Sequence, residues 1–140
     1  MLSYSSPATT AAEVTAYAEA RLRAWPGAVQ EQEAAILRAQ SWMASAYNLR
    51  WMVQFDNEDA PLLVKYALAE AAIMEAASPG VLLTRAGIES QPKVLTRVES
   101  ISWAPQERKD WHSSAIRVPH IEEMLAPLIR RPFQAAAVVV

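Results

Sequence analysis

The chain contains no cysteine, which excludes disulfides, thiolate nucleophiles and cysteine metal ligands and fits a reducing compartment. Glycine occurs three times in 140 residues, too seldom for a turn-rich β-sandwich. With alanine abundant, the balance favours helix, because glycine weakens a helix and alanine costs it nothing. Neither sign of charge dominates: 13 Lys and Arg against 15 Asp and Glu leave a formal charge of −2. Non-specific nucleic-acid binding rests on an excess of Lys and Arg that this chain does not have. No run of about 18 consecutive apolar residues is present, so no membrane span is expected. The opening "MLSYSSPATTAAE" has no basic patch followed by an apolar run, so no signal peptide is expected either.

What is present is globular in character. Apolar residues make up 52% of the chain and charged residues 20%, which rules out a disordered polymer. The length suits a single domain, residues 1–140, with a real core. Charge is unevenly spread: residues 1–80 carry nine acids and five bases, residues 81–140 six acids and eight bases. Identical copies can use such asymmetry head to tail, although modest charge of this kind also describes an ordinary solvated surface.

Periodicity predicts four helices. The first begins at Thr10, with Glu13 three residues on as a capping box, and carries Val14, Tyr17, Ala18, Leu22 and Trp25 on one side until "WPG" at 25–27 ends it. The second runs from about Gln30 to Leu49, within "QEQEAAILRAQSWMASAYNLRW". Ile36, Ala39, Met43, Ala46 and Tyr47 cluster on it, flanked by Trp42 and Leu49 on one side and Leu37 and Ala44 on the other. That arc is wider than a surface helix needs. The third spans Pro61 to about Ala77, with Asp59 as its cap. Its charges, Lys65, Glu70 and Glu75, point in three directions, so it reads as central, and in so small a chain as a helix in contact with other copies. The last, in "PHIEEMLAPLIRR", sets Ile121, Met124, Leu125 and Leu128 on one face and is kinked or shortened by Pro127.

Between the third and last helices, "KVLTRVESISW" at 93–103 alternates and is rich in β-branched residues, predicting one strand that must pair within the chain or with a neighbour. Residues 104–118 read as a long polar loop, and the tail "PFQAAAVVV" is apolar. The expected architecture is mainly α. It is a small bundle of about four helices with one strand or hairpin-like extended segment and a long loop before the last helix. A helical core covers about 10–80, the extended segment and loop 81–118, and the last helix and tail 119–140.

Chemistry-bearing patterns are missing. His112 and His120 are eight apart with a proline between them, and "HIEE" lacks the second histidine of a zinc motif. No serine sits in a nucleophile elbow and no glycine cradle for phosphate occurs. Glu122 and Glu123 are adjacent and point apart on a helix, where they suit its N-terminus better than acid–base catalysis. No catalytic residue, metal or cofactor is expected. Trp42 and Tyr47 read as core. Trp103 and Trp111 bracket a charged loop, a setting typical of protein contacts.

The order of "RLRAW", "QEQEAAILRAQSWMASAYNLRW", "PLLVKYALAEAAIMEA", "KVLTRVESISW" and "IEEMLAPLI" resembles the head–tail connector, or head-completion adaptor, proteins of tailed phages, some of which are labelled DnaT-like single-stranded-DNA-binding proteins. The matching positions are Ala35, Leu37, Ala39, Trp42 and Tyr47, then Val64, Ala67 and Ala69 to Ile73, then Met124 to Leu128, within a resemblance over roughly residues 10–130. The compact "NLRWMVQFDNEDA" departs from the longer Gly- and Pro-containing loop of many members. The resemblance implies a non-catalytic virion component, made in the host cytoplasm and placed at the capsid–tail junction. It would form a dodecameric ring under the portal protein, extend the DNA channel without sequence-specific binding, and meet the next tail-side connector or tail terminator. No membrane takes part. Contact surfaces are then expected at Arg97, Glu99, Ile101, Trp103, Arg108 and Trp111 and at Ile121, Met124, Leu125 and Leu128. The alternative is an accessory protein binding single-stranded nucleic acid, against which "TRVESISWAPQERKDW" offers few bases not cancelled by acids.

Overall fold

The computed structural model describes residues 1–83 and 116–131. Four helices make up their regular structure: α1 (Ala11–Ala20), α2 (Val29–Tyr47), α3 (Leu62–Ala77) and α4 (Pro119–Leu125). The protein is thus mainly helical, a small bundle. The strand expected at 93–103, residues 104–115 of the loop after it and the apolar tail from 132 lie outside the described residues.

Helix α1 starts where its capping chemistry dictates. Thr10 is the N-cap, its hydroxyl accepting from the Glu13 N–H, while the Glu13 carboxylate accepts from the Thr10 N–H at 2.9 Å. Its end corrects the expected one. The helix stops at Ala20, well before "WPG", because the Arg23 N–H turns back to the Ala18 carbonyl at 2.9 Å and Leu22 takes a left-handed conformation, φ 52°. This is a Schellman-type stop with leucine where glycine is usual. Val14, Tyr17 and Ala18 are buried as expected. Leu22, expected beside them, is instead 96% exposed, and Trp25 is half-buried.

Gly27 opens α2. Its φ is +106°, and a Cβ there would stand 2.9 Å from the Glu31 carboxylate. Only glycine lets Glu31 fold back to accept the Ala28 N–H at 3.0 Å, half of a capping box, since Ala28 has no side-chain acceptor of its own. The buried arc of α2 is broad, as expected: Ala35, Ile36, Ala39, Gln40, Trp42, Met43, Ala44 and Tyr47. Leu49 lies beyond the helix and is 93% exposed.

Helix α3 begins with Pro61 as its N-cap and without a side-chain cap, so Asp59 does not have the expected role. Its N–H bonds instead to the Asp56 carbonyl within the preceding turn. The central position of α3 is as expected, and its own chain covers most of it, leaving Leu62 and Leu63 at its start exposed. It packs on α2, α1 and α4 of its own chain, burying Val64, Ala67 through Ile73 and Glu75. Alanines at 67, 69, 71 and 72 let three helices approach one axis closely.

Proline at the first position suits α4, and Pro127 shortens it, leaving a turn through Leu128. The chain then makes the sole sheet-like pairing among the described residues. Trp51 and Ile129 form an antiparallel bridge, with the Met52 N–H donating to the Leu128 carbonyl at 2.9 Å and the Arg130 N–H to the Arg50 carbonyl at 2.8 Å. Ile121 and Leu125 are fully buried in this core.

A left-handed leucine costs about 1 kcal/mol and nothing packs on its side chain. Leu22→Gly is therefore expected to raise the stability by about that amount, read as a higher urea midpoint with an unchanged slope.

Candidate functional site

The described polar groups are arranged for holding rather than for reacting. Two carboxylates of α3 are buried. Glu70 accepts the Tyr17 hydroxyl at 2.7 Å and is ion-paired with Arg23. Glu75, 0% exposed, accepts Arg38 Nε at 2.9 Å, the Gly80 N–H at 3.0 Å and the Leu82 N–H at 2.9 Å. A third carboxylate, Glu122 on α4, lies between Arg50 at 3.2 Å and Arg117 at 2.7 Å. Burial pushes each of these carboxyls up, but the arginines and donated hydrogen bonds outweigh it, and all three lie below the ordinary carboxylate value of 4.5. Burial, and then donation to Glu70, pushes the Tyr17 phenol up to about 12, so it remains a donor. These are committed ion pairs, not groups poised near neutrality to exchange protons.

The aromatics of residues 42–55 form a continuous row. Trp42 meets Tyr47 edge-on at 5.8 Å, Tyr47 meets Trp51 at 6.0 Å, and Trp51 meets Phe55 edge-on at 5.1 Å. Each contact is worth about 0.5–1.5 kcal/mol beyond area burial. The indole N–H groups are used as well: Trp42 donates to the Ile116 carbonyl at 2.8 Å and Trp51 to Asn48 Oδ1 at 3.1 Å. The row ties α2 to the chain arriving at α4, and its Trp51 and Phe55 also line a cavity with Met1 and Val53. Trp42 and Tyr47 are core, each 2% exposed.

The stretch between α3 and α4 is thereby held at both ends. Glu75 fixes residues 80–82 as the chain leaves α3, and Trp42 with Glu122 fixes residues 116 and 117 as it returns.

A group the sequence reading missed is a cradle of three amides around residues 1–8. Gln40 is 1% exposed. Its Oε1 accepts the Ala8 N–H at 2.7 Å, and its Nε2 donates to the carbonyls of Ser3 at 2.5 Å and Ser6 at 2.6 Å. Asn48 grips Leu2 through both main-chain groups, each at 2.9 Å. Asn57 accepts the Ser3 N–H at 3.0 Å and donates to the Ser6 carbonyl, and the Met1 amino group donates to the Phe55 carbonyl. The signal was legible: Gln40 lies four residues after Ile36 and three before Met43, a glutamine set inside an apolar arc, and a buried amide needs partners.

Of the expected contact residues, Arg97, Glu99, Ile101, Trp103, Arg108 and Trp111 lie outside the described residues. The other four share α4 and the turn after it but not one exposure. Ile121 and Leu125 point into the core and offer no surface, a correction to the expected contact face, because α3 fills the groove beneath them. Met124 and Leu128 are half-buried and reach solvent in part. Exposed large apolar side chains gather elsewhere: Leu49, Met52 and Val53 after α2, Met1 lining the same cavity as Val53, and Leu62 and Leu63 at the start of α3. Among the described residues no cluster of three or more His, Asp or Glu side chains is placed to hold a metal, and no helix is long and apolar enough to cross a membrane.

Compared with protein-family models, curated proteins and solved structures, the chain has no match.

The lowered carboxyls set a direction for acid behaviour. A carboxyl whose folded value lies below its unfolded one contributes stability above the unfolded value, and that stability is lost as pH falls through the folded value. The urea midpoint is expected to hold from pH 7 down to about 5 and then fall. Glu75→Gln should lower stability at pH 7 by about 2–3 kcal/mol and make the acid slope shallower. An unchanged slope in that variant would show that Glu75 is not among the groups responsible.

Proposed function

We propose that this chain is a structural, non-catalytic assembly unit: a head–tail connector that forms a ring beneath the portal of a filled virus capsid, extends the DNA channel and presents a docking surface to the next tail component. The observation that carries the reading is where the resemblance-bearing residues fall. Ala39, Trp42 and Tyr47 of α2, Val64, Ala67, Ala69 and Ala71 to Ile73 of α3, and Leu125 of α4 are buried in one core, and Ala35 and Glu70 are also buried, while Leu37, Met124, Ala126 and Leu128 are half-buried and Pro127 is exposed. The hydrophobic pattern shared with that family is thus a scaffold pattern, and it occurs in the order the resemblance requires.

Two features support a scaffold role. The buried carboxylates are each neutralised by arginine, which leaves structural work as their evident use. The core also grips both ends of the segment carrying Arg97, Glu99, Ile101, Trp103, Arg108 and Trp111, as a unit that presents a contact segment to neighbours would. Its partners are further copies of itself, a portal protein and a tail-side protein, with DNA passing through the channel without sequence-specific contact. Its location is the capsid–tail junction, after synthesis in the host cytoplasm.

One feature favours the alternative of an accessory protein for single-stranded nucleic acid. Arg21 stacks 3.6 Å over the Tyr17 ring and 5.2 Å from Tyr66, an aromatic–basic cluster beside a cavity of about 310 Å³ between α1 and α3. That stack is already closed, however. Tyr17 is 7% exposed and Arg21 covers its face, which leaves only the half-buried Tyr66 to receive a base.

Light scattering behind a sizing column, with negative-stain images of the same peak and a docking assay on portal-bearing capsids, tests the proposal. Discrete rings, or saturable docking that restores tail attachment, are expected. Reversing Arg97 and Arg108 to Glu should lower particle assembly at least about ten-fold, the loss of one or two interfacial charge contacts. Failure to assemble both in solution and on capsids would overturn the connector reading. A salt-dependent shift of labelled single strands at micromolar protein would favour the alternative.

A further inference from the structure

We propose that the amide cradle of Gln40, Asn48 and Asn57 is an exchange site, in which residues 1–8 of a neighbouring copy replace the chain's own when copies assemble. The inference rests on the self-assembly reading above and adds the contact that links the copies.

The cradle recognises main chain. Every bond from Gln40, Asn48 and Asn57 to residues 1–8 ends on a backbone N–H or C=O: Leu2 at both groups, Ser3 at both groups, the Ser6 carbonyl and the Ala8 N–H. Buried side-chain anchoring adds only Leu2 and Ala8. Such a site responds to a bent peptide that presents the backbone of residues 2, 3, 6 and 8 and the Leu2 side chain, and is indifferent to which copy supplies it. Exchange of an identical element between protomers keeps every contact and changes only the connection.

The connection suits exchange. The boundary between what the cradle holds and what α1 holds falls between Ala8 and Thr9. The Ala8 N–H belongs to Gln40, whereas the Thr9 hydroxyl donates to Glu13 at 2.7 Å and Thr10 completes the capping box with the same glutamate. The first turn of α1 therefore has its cap from its own residues and loses nothing when residues 1–8 swing away. Pro7, one residue before this boundary, has no N–H to leave unpaired and a φ that its ring fixes.

The cradle is also unable to stand empty. Without residues 1–8 Gln40 would lose three of its four side-chain hydrogen bonds, keeping only that to Asn57 Oδ1 at 3.4 Å, and the Leu2 seat would open to water. An arm that leaves must be replaced, so exchange is one for one and links neighbours in sequence. It also delivers the neighbour to the right face. The cradle adjoins Leu49, Met52 and Val53, which are 93%, 54% and 38% exposed, and a copy tethered there by its own residues 1–8 lies against them. A head-to-tail repeat of this contact is heterologous and closes into a ring when its rotation allows.

The absence of cysteine makes the test direct. Tyr4 on the arm and Ser45 on α2 are both exposed, with their hydroxyls 3.4 Å apart, and neither belongs to the cradle. Tyr4→Cys and Ser45→Cys variants are assembled together, in solution or on portal-bearing capsids, treated with a short bis-maleimide and run on a denaturing gel. Exchange predicts a covalent pair from the mixed single variants and a ladder from the double variant, and a stronger pair when residues 1–8 are deleted from the Ser45→Cys chain, whose cradle can then be filled only by a neighbour's arm. Assembled protein in which the double variant bridges only within one chain, and the mixture gives no pair, overturns the exchange and leaves the connector reading standing. Absence of assembly under both conditions overturns the two together.

Discussion

An α-helix that is apolar on every side stays in solution only if other elements cover it all round, and a small chain has few elements with which to do so. Helix α3 is that constraint here. The bundle meets it by laying α1, α2 and α4 around one axis, with alanine at the positions of closest approach. Its two buried glutamates then decide how the rest of the chain runs. Glu70 draws in Tyr17 and Arg23, so α1 has to stop early enough for Arg23 to turn back onto it. Glu75 draws in Arg38 from α2 and the N–H groups of residues 80 and 82, so the chain leaving α3 folds down over the end of its own helix. A buried carboxylate without these partners would cost several kcal/mol, and the loops at both places follow the need to supply them.

The same logic of obligatory partners extends to the opposite end of the bundle. Gln40 faces the core side of α2 and can be buried only because residues 1–8 bring their backbone to it. Asn48 and Asn57 extend the arrangement past the end of the helix. There the aromatic row from Trp42 to Phe55 meets the Trp51–Ile129 bridge, and α2, the arm and the turn after α4 are closed together. Among the described residues, the buried glutamates and amides hold chain segments in place. That is the physical ground for proposing it as a part of an assembly, in which the exposed apolar side chains beside the cradle would face a neighbour.

Much of this was legible in the sequence, and the legible parts share a cause: they are local. The Thr10–Glu13 capping box, the breadth of the α2 arc, the central character of α3 and the shortening of α4 at Pro127 each follow from a few neighbouring residues and a fixed periodicity. The misreadings were of a different kind. Leu22 fitted the helical stripe of α1 but was released because Arg23 is wanted by Glu70, 47 residues away. Asp59 is a good capping residue in isolation, yet Pro61 sits at the N-cap once the turn at 56–59 closes on itself. Ile121 and Leu125 had the spacing of a contact face, and periodicity alone does not say whether such a face meets α3 or another molecule.

The sequence by itself determined the class of this protein: cysteine-free, near-neutral and helical, with one helix that must be central and with Trp42 and Tyr47 in the core. Composition and short-range pattern act through the backbone of each segment, and that is enough to settle them. Only the tertiary structure decided which long-range partners satisfy the buried polar groups: Arg23 for Glu70, Arg38 for Glu75, and residues 1–8 for Gln40, Asn48 and Asn57. A hydrogen bond or ion pair in the interior depends on where two distant segments meet, and no periodicity along the chain encodes that meeting.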